Sequence, residues 1–365
     1  MLRIVIIGAG PAGCIAGIIL GRAGLEVMLV EQHRFPRDKV CGECLSDVGI
    51  TVLEELGLQA ELLSSCAPVM LRRALLFALD GRRSQIPLPR PMWGLSRPAL
   101  DTWLLSQAAR VCRVLQPARC ERYSATLRQC LVRELTSNRL LKLEFDLLLI
   151  ADGKAAISQA SPPPSGDFGV KAHWQGIAAP DDAIELFAVN GHYGGIAPVE
   201  GGRYNLSFSL PAPRLRGSRG NVDQVFSRII GENDELRRQL RNATRLGPWL
   251  CCPLPRYRLR RSWPAGVIPI GNAAAAIEPV AGEGMGLAMR SAQIAAGAIL
   301  AATARQRPVE VEMIYRQYRR LWLRRSLASR LAAQIISQPS LAGPAIEILS
   351  ECPALAWGAA RLVGK

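Results

Sequence analysis

The first thirty residues alternate between apolar runs and a glycine-rich turn in a way that predicts a parallel α/β unit. Residues 2–7 are a continuous apolar, β-branched run of strand length, as expected for a strand buried on both faces. Residues 11–22 follow a helical pattern that stops before Gly24, a residue type common just after helix ends. Residues 26–30 predict a second strand, which ends on Glu31.

Later apolar runs predict another buried strand and a second, β-rich layer. Residues 145–150 read as a buried strand that ends in Ala151-Asp152-Gly153. From residue 166 to 262 the pattern is one of short strands punctuated by Gly and Pro, interrupted by a charged helical segment at 222–242. Further predicted elements are strands at 75–79, 85–88, 204–210 and 267–270 and helices at 94–111 and 287–304.

The turn after the first strand has the glycine spacing of a dinucleotide-binding fingerprint. Gly8 permits a tight turn, Gly10 lets a pyrophosphate approach the backbone, and Gly13 lets helix and strand pack closely. The helix N-terminus offers free N–H groups and the positive end of its dipole. Glu31 is placed to accept hydrogen bonds from an adenosine ribose, and its charge disfavours a 2′-phosphate. The sequence therefore favours FAD or NAD over NADP at this site.

A second glycine-to-helix transition repeats this logic near residue 280. Gly271-Asn272 follows the strand at 267–270, and Gly282-Glu283-Gly284-Met285 comes after Pro279 and opens the helix at 287–304. Together with the first turn, this loop predicts the second half of a cofactor cradle.

Cys41 and Cys44 form a C-x-x-C pair, which raises the alternatives of a metal half-site and a redox dithiol. A zinc site needs two more ligands, and there is no second C-x-x-C in the sequence. Flavin disulfide reductases carry a second nucleotide fingerprint, and none follows residue 13. We therefore favour plain loop cysteines and keep the redox dithiol as a minor alternative.

Composition narrows the function classes further. The 365 residues carry 45 Lys and Arg against 30 Asp and Glu, a net charge of +15, but no basic tail, RNA-binding signature or zinc-finger spacing accompanies it. We expect no nucleic-acid partner. Ten irregularly spaced cysteines do not resemble a secreted disulfide framework, and three separated histidines predict no metal site. A reducing, cytoplasmic setting is expected.

Two segments raise the question of membranes. Residues 4–21 lack charge, but five glycines and a proline argue against a lipid-spanning helix, and the nucleotide fingerprint explains those glycines. Residues 315–330 hold six Arg and no acid, with Leu and Trp interleaved. They predict a helix that packs its apolar stripe on the protein body, with a membrane-surface helix as the alternative.

Four separated motifs resemble one family, the FAD-dependent oxidoreductases of the para-hydroxybenzoate hydroxylase fold, including the geranylgeranyl reductase branch. The motifs are the Gly8–Gly13 turn with Glu31, the helix at Arg97, Ala151-Asp152-Gly153, and the segment from Gly271-Asn272 through Pro279 to Met285. The lead-in at residues 35–42 also looks like that branch. The resemblance implies FAD as cofactor and NAD(P)H as a reductant that docks transiently, without a Rossmann domain of its own.

By resemblance, the cofactor-binding residues are spread over all four motifs. They are Gly8, Gly10, Pro11, Ala12, Gly13, Glu31, Arg34, Cys41, Arg97, Asp152, Gly271, Asn272, Pro279, Gly282, Gly284 and Met285. No catalytic acid or base is assigned; Tyr193, His192 and Cys41 are candidates by position only.

One motif departs from the reductase branch. Tyr193-Gly194-Gly195-Ile196-Ala197-Pro198 lies where that branch has Tyr-x-Trp-x-Phe-Pro, so Gly195 and Ala197 replace two aromatic residues. These aromatic residues belong to the substrate side. We expect a wider pocket here, which would admit a ring more readily than it would hold a polyisoprene chain.

Three functions stay open. The first is an FAD-dependent monooxygenase that hydroxylates a hydrophobic phenolic or polyketide-like substrate. The second is an FAD-dependent reductase of carbon–carbon double bonds in isoprenoid lipids. The third is a flavin-binding protein without catalysis, acting as a partner or lipid-binding module. Cofactor residues are common to all three, and only substrate-side residues discriminate.

The expected fold is α/β, a Rossmann-like FAD-binding domain with an interleaved β-rich substrate domain and a helical C-terminal tail. The FAD-binding domain is predicted at residues 1–67, 96–165 and 263–307. The substrate domain is predicted at 68–95 and 166–262, and the C-terminal helical segment at 308–365. Partners are expected to be a hydrophobic small molecule and, as an option, a membrane surface.

Overall fold

A five-stranded parallel sheet combines four strands from residues 3–150 with one strand from residues 267–269. The computed structural model describes residues 2–153, 157, 166–255, 257–260 and 262–364. The sheet has the order β16-β10-β1-β2-β6. Its strands are β1 (Arg3–Ile7), β2 (Glu26–Val30), β6 (Arg113–Leu115), β10 (Leu147–Ile150) and β16 (Val267–Pro269). The predicted strands at 2–7, 26–30, 145–150 and 267–270 thus become neighbours in one sheet.

Strand alternation divides the apolar side chains of this sheet between two layers. Ile4 and Ile6 pack into the core formed with helices on one face, whereas Val5 and Ile7 face a small antiparallel sheet on the other. That small sheet has the order β7-β8-β9, with strands Ala118–Ser124, Gln129–Glu134 and Leu140–Glu144. The sequence analysis did not predict it, because its strands mix apolar with charged residues and are partly exposed.

An eight-stranded sheet forms the second layer system, in the order β15-β11-β14-β13-β12-β4-β5-β3. All its pairings are antiparallel except that of β4 with β12. The strands are β3 (Cys44–Leu45), β4 (Val69–Phe77), β5 (Arg83–Gly94), β11 (Phe168–Gln175), β12 (Ala183–Val189), β13 (His192–Val199), β14 (Arg203–Leu210) and β15 (Thr244–Pro253). Seven of these strands come from residues 68–95 and 166–262, and β3 comes from the earlier part of the chain.

Helices cover both sheets. They are α1 (Pro11–Arg22), α2 (Asp47–Glu55), α3 (Gln59–Cys66), α4 (Arg97–Ala109), α5 (Ala212–Gly217), α6 (Val222–Glu232), α7 (Asp234–Gln239), α8 (Gly284–Ala304), α9 (Val311–Ile336), α10 (Pro339–Glu351) and α11 (Pro353–Gly364). Two short 3-10 helices lie at Gly271–Ala273 and Pro279–Ala281. The predicted segment at 222–242 is two helices, because Asn233 ends α6 and caps α7, accepting from the Leu236 N–H.

The three C-terminal helices pack on one face of the large sheet, against β5, β12 and β13. Helix α9 extends four residues before and six residues beyond the predicted helix at 315–330. Helix α8 begins at Gly284 rather than at residue 287, so its first turn includes the glycine loop itself. The expected helical C-terminal tail is confirmed, with a first helix longer than predicted, and it packs against the large sheet.

Only one helix among the described residues is long and apolar enough to cross a membrane, namely α8. It packs against α1 and α2, and 61% of its apolar window is buried inside the protein. We interpret α8 as a core helix. The predicted division into domains stays a prediction, and its boundary at residue 165 lies outside the described residues.

Candidate cofactor and substrate site

The first glycine turn is built on close backbone contacts. Gly8 has a φ of +102°, and a Cβ added there would lie 2.6 Å from the carbonyl oxygen of Ala151. A Cβ on Gly13 would lie 1.8 Å from the carbonyl oxygen of Gly8. Both positions require glycine, since any side chain would overlap the backbone. The turn after β1, the start of α1 and the end of β10 are thereby held together.

Gly10 differs because the protein leaves space in front of it. A Cβ on Gly10 would have the Arg97 guanidinium, at 4.0 Å, as its nearest neighbour outside the adjoining residues. Gly10 is also the N-cap of α1, and no side chain accepts a hydrogen bond from the first N–H groups of that helix. An uncapped helix N-terminus with open space before it is a site for an anionic group.

Glu31 lies at the edge of this turn and is 4% exposed. Its carboxylate accepts hydrogen bonds from the Ala9 N–H at 2.8 Å and the His33 N–H at 2.8 Å. These bonds fix the carboxylate next to the glycine turn. Each carboxylate oxygen keeps a free lone pair for a further donor.

The second glycine loop approaches the first. Gly271 has a φ of +60°, donates its N–H to Ser291 Oγ, and would place a Cβ 3.0 Å from that of Ala12. Gly282, at a φ of +67°, lies against Cys44. Helix α8 starts at Gly284 with no capping side chain. A second uncapped helix N-terminus is therefore present in the same region.

Arg97 connects the first glycine turn with the loop that carries Glu43. Its guanidinium forms a buried, bidentate ion pair with Asp101, and its backbone N–H donates to Glu43 Oε1 at 2.8 Å. Burial alone lowers the pKa of Arg97, but the Asp101 carboxylate more than offsets this and raises it. Arg97 thus stays charged beside Gly10.

The other predicted cofactor residues are spread more widely. Pro11 and Ala12 are buried in the first turn of α1, and Met285 is buried in the hydrophobic core. Arg34 and Asn272 are exposed, and Asp152 Oδ2 accepts the Ile157 N–H at 3.0 Å. Among the described residues, the Arg34 side chain makes no hydrogen bond or ion pair with the glycine turn.

A buried charge cluster, which the sequence analysis missed, holds the loop that carries Cys41. Lys171 Nζ lies 2.6 Å from Asp38 Oδ1 and 2.6 Å from Glu43 Oε1, and His173 Nε2 lies 2.6 Å from Glu43 Oε2. Lys171 and Glu43 are fully buried. The only local signal was Lys171 and His173, two residues apart on one face of an apolar strand.

The carboxylates of this cluster form ion pairs with Lys171 and His173. Burial lowers the pKa of His173, but hydrogen bonds with Asp38 and Glu43 outweigh burial and raise the pKa to about 9. The ligand atoms of Asp38, Glu43 and His173 are close enough to hold a metal ion. However, the Lys171 ammonium already lies between the two carboxylates, so the cluster is charge-compensated without one.

An apolar cavity of about 320 Å³ adjoins this loop at Cys41 and Gly42. It lies between the large sheet and the C-terminal helices. Pro279, Gly282 and Glu283 of the second glycine loop also line it, and most of the remaining wall is aliphatic. The other lining residues include Ala74, Leu76, Ile86, Leu88, Met92, Ile184, Leu186, Gly195, Ala197, Val280, Ala332, Leu349, Ala359 and Ala360.

One half-buried and one buried carboxyl group accompany this cavity. Tyr193 lines the cavity, and its hydroxyl donates to Oε1 of the half-buried Glu278 at 2.6 Å. Glu283 lines it as well and is 2% exposed; burial, partly offset by Arg325, raises its pKa to about 8. Of the candidates suggested by position, Tyr193 and Cys41 line the cavity, whereas His192 does not. Burial lowers the pKa of His192 to about 4.

Comparison with known proteins agrees with this geometry. Residues 1–129 match the family described as FAD binding domain. The chain is 23% identical over 323 residues to 1H-pyrrole-2-carbonyl-[peptidyl-carrier protein] brominase from Pseudoalteromonas luteoviolacea, covering 81% of this chain and 76% of that protein. It is 26% identical over 331 residues to menaquinone reductase from Mycobacterium tuberculosis, covering 80% and 75%.

The same fold appears in a solved structure of a geranylgeranyl bacteriochlorophyll reductase-like protein from Thermoplasma acidophilum. The TM-score is 0.82 at 16% identity, covering 99% of this chain and 95% of the other. The chain therefore carries an FAD binding domain at residues 1–129 and shares the fold of these FAD-dependent oxidoreductases. The expected family, α/β fold class and FAD are thereby confirmed.

The residues of this oxidoreductase fit FAD. The uncapped N-terminus of α1 offers N–H donors for the pyrophosphate, and the buried Glu31 carboxylate offers an acceptor for a ribose hydroxyl. The uncapped N-terminus of α8 offers further N–H donors. Cys44 is buried, and burial raises its pKa well above that of an ordinary thiol. A redox dithiol needs a stabilised thiolate, so this environment favours the plain loop cysteine.

We predict that Gly10→Val abolishes FAD binding and leaves the fold intact. The protein has room for the side chain, but a branched group would occupy the space in front of the α1 N-terminus. Flavin absorbance per protein after purification and the melting temperature of the apoprotein measure the two effects. Gly297→Val, on an exposed position of α8, is the matched control and should purify with FAD. A Gly10→Val protein with full FAD content would place the phosphate site elsewhere.

We predict that Lys171→Met destabilises the oxidoreductase by about 3–5 kcal/mol, because it leaves two carboxylates without their buried cation. Denaturant unfolding of the FAD-bound protein measures the change. Lys142→Met, at an exposed position of β9, should change stability by less than about 0.5 kcal/mol. Equal stability of the two variants would contradict the role assigned to the cluster.

Proposed function

We propose that this oxidoreductase is an FAD-dependent monooxygenase that hydroxylates a hydrophobic phenolic or polyketide-like substrate, with NAD(P)H as reductant. The observation that carries the proposal is the apolar cavity that meets the cofactor side at Cys41, Gly42 and Gly282. A ligand in this cavity would be shielded from water next to the loops of Cys41, Gly42 and Gly282.

The small residues of β13 support a ring-shaped substrate. Gly195 and Ala197 line the cavity on the same face of β13 as Tyr193. Across the neighbouring strand, Tyr193 pairs with Ser209 and Gly195 pairs with Ser207, and both serines also line the cavity. The wall therefore combines space with a short row of hydroxyl groups, which suits a flat apolar molecule that carries its own hydroxyl groups.

In this proposal the protein binds, orients and desolvates the substrate. Bound FAD, once reduced by NAD(P)H, would supply the activation of molecular oxygen. Aliphatic side chains on β4, β5 and β12 would hold the apolar part of the substrate. Arg97 and the charge cluster keep the loop of Cys41 and Gly42 in place against the cofactor.

The second candidate is an FAD-dependent reductase of carbon–carbon double bonds in isoprenoid lipids. It is favoured by two relatives matched over most of their length, the menaquinone reductase and the digeranylgeranylglycerophospholipid reductase 2 from Methanopyrus kandleri. The same apolar cavity would hold an isoprenoid chain. The two candidates differ in their need for oxygen.

We predict that the enzyme adds one oxygen atom, derived from O₂, to a long-chain alkylphenol when NAD(P)H is supplied. Mass spectrometry with isotopically labelled oxygen measures the product. Ala197→Phe should fill the cavity and lower turnover at least about tenfold with unchanged FAD content, whereas Ala301→Phe, on an exposed position of α8, should not. A gain of two hydrogens by a polyprenyl quinone under anaerobic conditions would instead establish the reductase.

We further propose that the protein is cytoplasmic and contacts a membrane surface peripherally. Leu323, Leu327 and Leu331 follow one another at four-residue spacing on α9, and all are exposed. Further exposed apolar side chains on α10 and α11 are Leu341, Ile348, Leu355 and Trp357. The same three helices supply Ala332, Leu349, Ala359 and Ala360 to the cavity wall, so this surface adjoins the substrate space.

Arginines flank this apolar surface. Arg316, Arg319, Arg320 and Arg324 are exposed on α9 and form no ion pair among the described residues. A basic amphipathic helix of this kind binds an anionic lipid surface, which contributes about 1 kcal/mol per Arg near the headgroups. A lipophilic substrate would then enter from the bilayer.

We predict that the protein binds vesicles containing phosphatidylglycerol more tightly than vesicles of phosphatidylcholine alone. In a flotation assay, replacing Arg320 and Arg324 together by Gln should weaken vesicle binding about 30-fold, because the two charges together contribute about 2 kcal/mol of binding free energy. Replacing Leu327 and Leu331 by Gln should also weaken binding. Leu127→Gln, at an exposed turn far along the chain from α9, is the control. Equal binding to both kinds of vesicle would contradict the proposal.

A further inference from the structure

We propose that a second, polar cavity on the opposite face of the large sheet binds a small hydroxylated anion. A sugar phosphate and a sugar acid both have this chemistry. Arginines would bind the anionic group, while the buried side chains of Glu185 and Gln239 would accept hydrogen bonds from the hydroxyl groups. The inference goes beyond the proposed function and does not depend on it, because it concerns a separate cavity.

Strand alternation places the two cavities on opposite faces of the same strands. Along β12, Ile184 and Leu186 line the apolar cavity, whereas Glu185 between them lines the polar one. Along β4, Leu76 lines the apolar cavity and Leu75 lines the polar one. Successive side chains of a strand point to opposite faces of its sheet. A ligand of the polar cavity is therefore separated by the sheet from a substrate in the apolar cavity.

The polar cavity has the size and the charge of a site for a small anion. Its volume is about 620 Å³, within the range of about 300–1,000 Å³ that is usual for small-molecule sites. Strands β4, β5 and β12 form one wall, and helix α7 and the loop at 178–180 form most of the rest. Three arginines line it, Arg73 from β4, Arg83 from β5 and Arg238 from α7, against two acids, Glu185 and Glu235. Guanidinium groups bind phosphate and carboxylate oxygens.

Two buried acceptor atoms at this cavity have no hydrogen-bond partner among the described residues. Glu185 and Gln239 are 1% and 2% exposed. The Gln239 amide nitrogen donates to Glu185 Oε1 at 3.1 Å and to Glu235 Oε1 at 3.0 Å, and Glu185 Oε2 and Gln239 Oε1 are left unpaired. Buried polar atoms are nearly always hydrogen-bonded in folded proteins. Two neighbouring hydroxyl groups of one ligand would supply both missing donors.

Glu185 can bind a hydroxyl group in either of its protonation states. Burial raises the pKa of Glu185 to about 7; the Gln239 hydrogen bond and Arg238 reduce this effect, whereas Glu235 adds to it. The ionised carboxyl accepts a hydrogen bond and the protonated one can donate, and a hydroxyl group can serve as the partner of both. An ammonium group would suit only the ionised form. The position therefore favours a hydroxyl group over a cation.

The arginines keep N–H donors for the anionic group. Arg238 uses Nε and Nη2 for Glu235, so its Nη1 remains available. Arg83 is exposed and forms no ion pair among the described residues. The pKa of Glu235 is lowered by its hydrogen bond with Arg238 and, to a smaller degree, by the charge of Arg83, so both guanidinium groups lie near this carboxylate. Arg83 is the cation most available to a ligand.

Isothermal titration calorimetry of the FAD-bound protein tests the site with four probes: ribose 5-phosphate, gluconate, inorganic phosphate and ribose. Bound FAD keeps the nucleotide site occupied. We expect ribose 5-phosphate or gluconate to bind at least about tenfold more tightly than inorganic phosphate or ribose, because only the first two carry both kinds of group. Tighter binding of ribose 5-phosphate would identify a sugar phosphate, and tighter binding of gluconate a sugar acid.

Arg83→Gln tests the anionic half of the site at an exposed position, where the fold tolerates the change. It should weaken binding of the anionic probe about tenfold, since a charge-assisted hydrogen bond is lost. Arg122→Gln, at an exposed position of β7 on the small sheet, removes the same charge far from the cavity wall and is the matched control. It should leave the affinity unchanged, and both variants should keep their FAD content.

Gln239→Leu tests the hydroxyl half. It should lower the affinity for the hydroxylated probe to that for inorganic phosphate, and leave the affinity for inorganic phosphate as it is. Three results would overturn the proposal: no binding of either hydroxylated anion at millimolar concentration, equal affinity for these probes and inorganic phosphate, or equal weakening by Arg83→Gln and Arg122→Gln. None of these results bears on hydroxylation, which is measured separately through the product mass.

Discussion

The fully buried Glu43 carboxylate is the contact on which the geometry of the site depends. It accepts from the Lys171 ammonium and from the Arg97 backbone N–H, and it pairs with His173. These partners come from β11 in the large sheet and from the first turn of α4. Because Glu43 lies between Cys41 and Cys44, one carboxylate fixes the loop that lines the cavity. Burying its charge is tolerable only because the cations are buried with it.

The sequence predicted those parts of the fold whose cause is local. Helix α1 occupies Pro11–Arg22 as expected, since its helical pattern and its starting proline lie within the segment and Gly24 follows directly after its C-cap. The antiparallel strands β7 to β9 were not predicted, because their half-exposed faces mix charged with apolar residues and their stability comes from packing on the parallel sheet. Propensity is a weak guide where tertiary contacts decide.

The same distinction applies to the site. Gly8 and Gly13 could be identified from the sequence because neighbouring backbone lies so close to them that only glycine fits. The spacing of the motif reflects this requirement. The partner of Tyr193 was not identifiable: Glu278 lies 85 residues away, and the Glu43–His173 pair spans 130 residues. Nothing in the spacing of such residues along the chain shows that they meet. Buried ion pairs and long-range side-chain hydrogen bonds depend on topology, so they can be recognised only once the sheet order is known.

The last three helices limit the length of the cavity, and they do so independently of the glycine turns. They end the cavity with small side chains, Ala332, Ala359 and Ala360, on segments that follow the cofactor loops in the chain and carry none of the glycine turns. A larger side chain at one of these alanines would shorten the cavity without touching the glycine turns. Related chains can therefore diverge in the length of molecule they accept by changes confined to their C-terminal sixty residues, while the redox half of the protein stays constant.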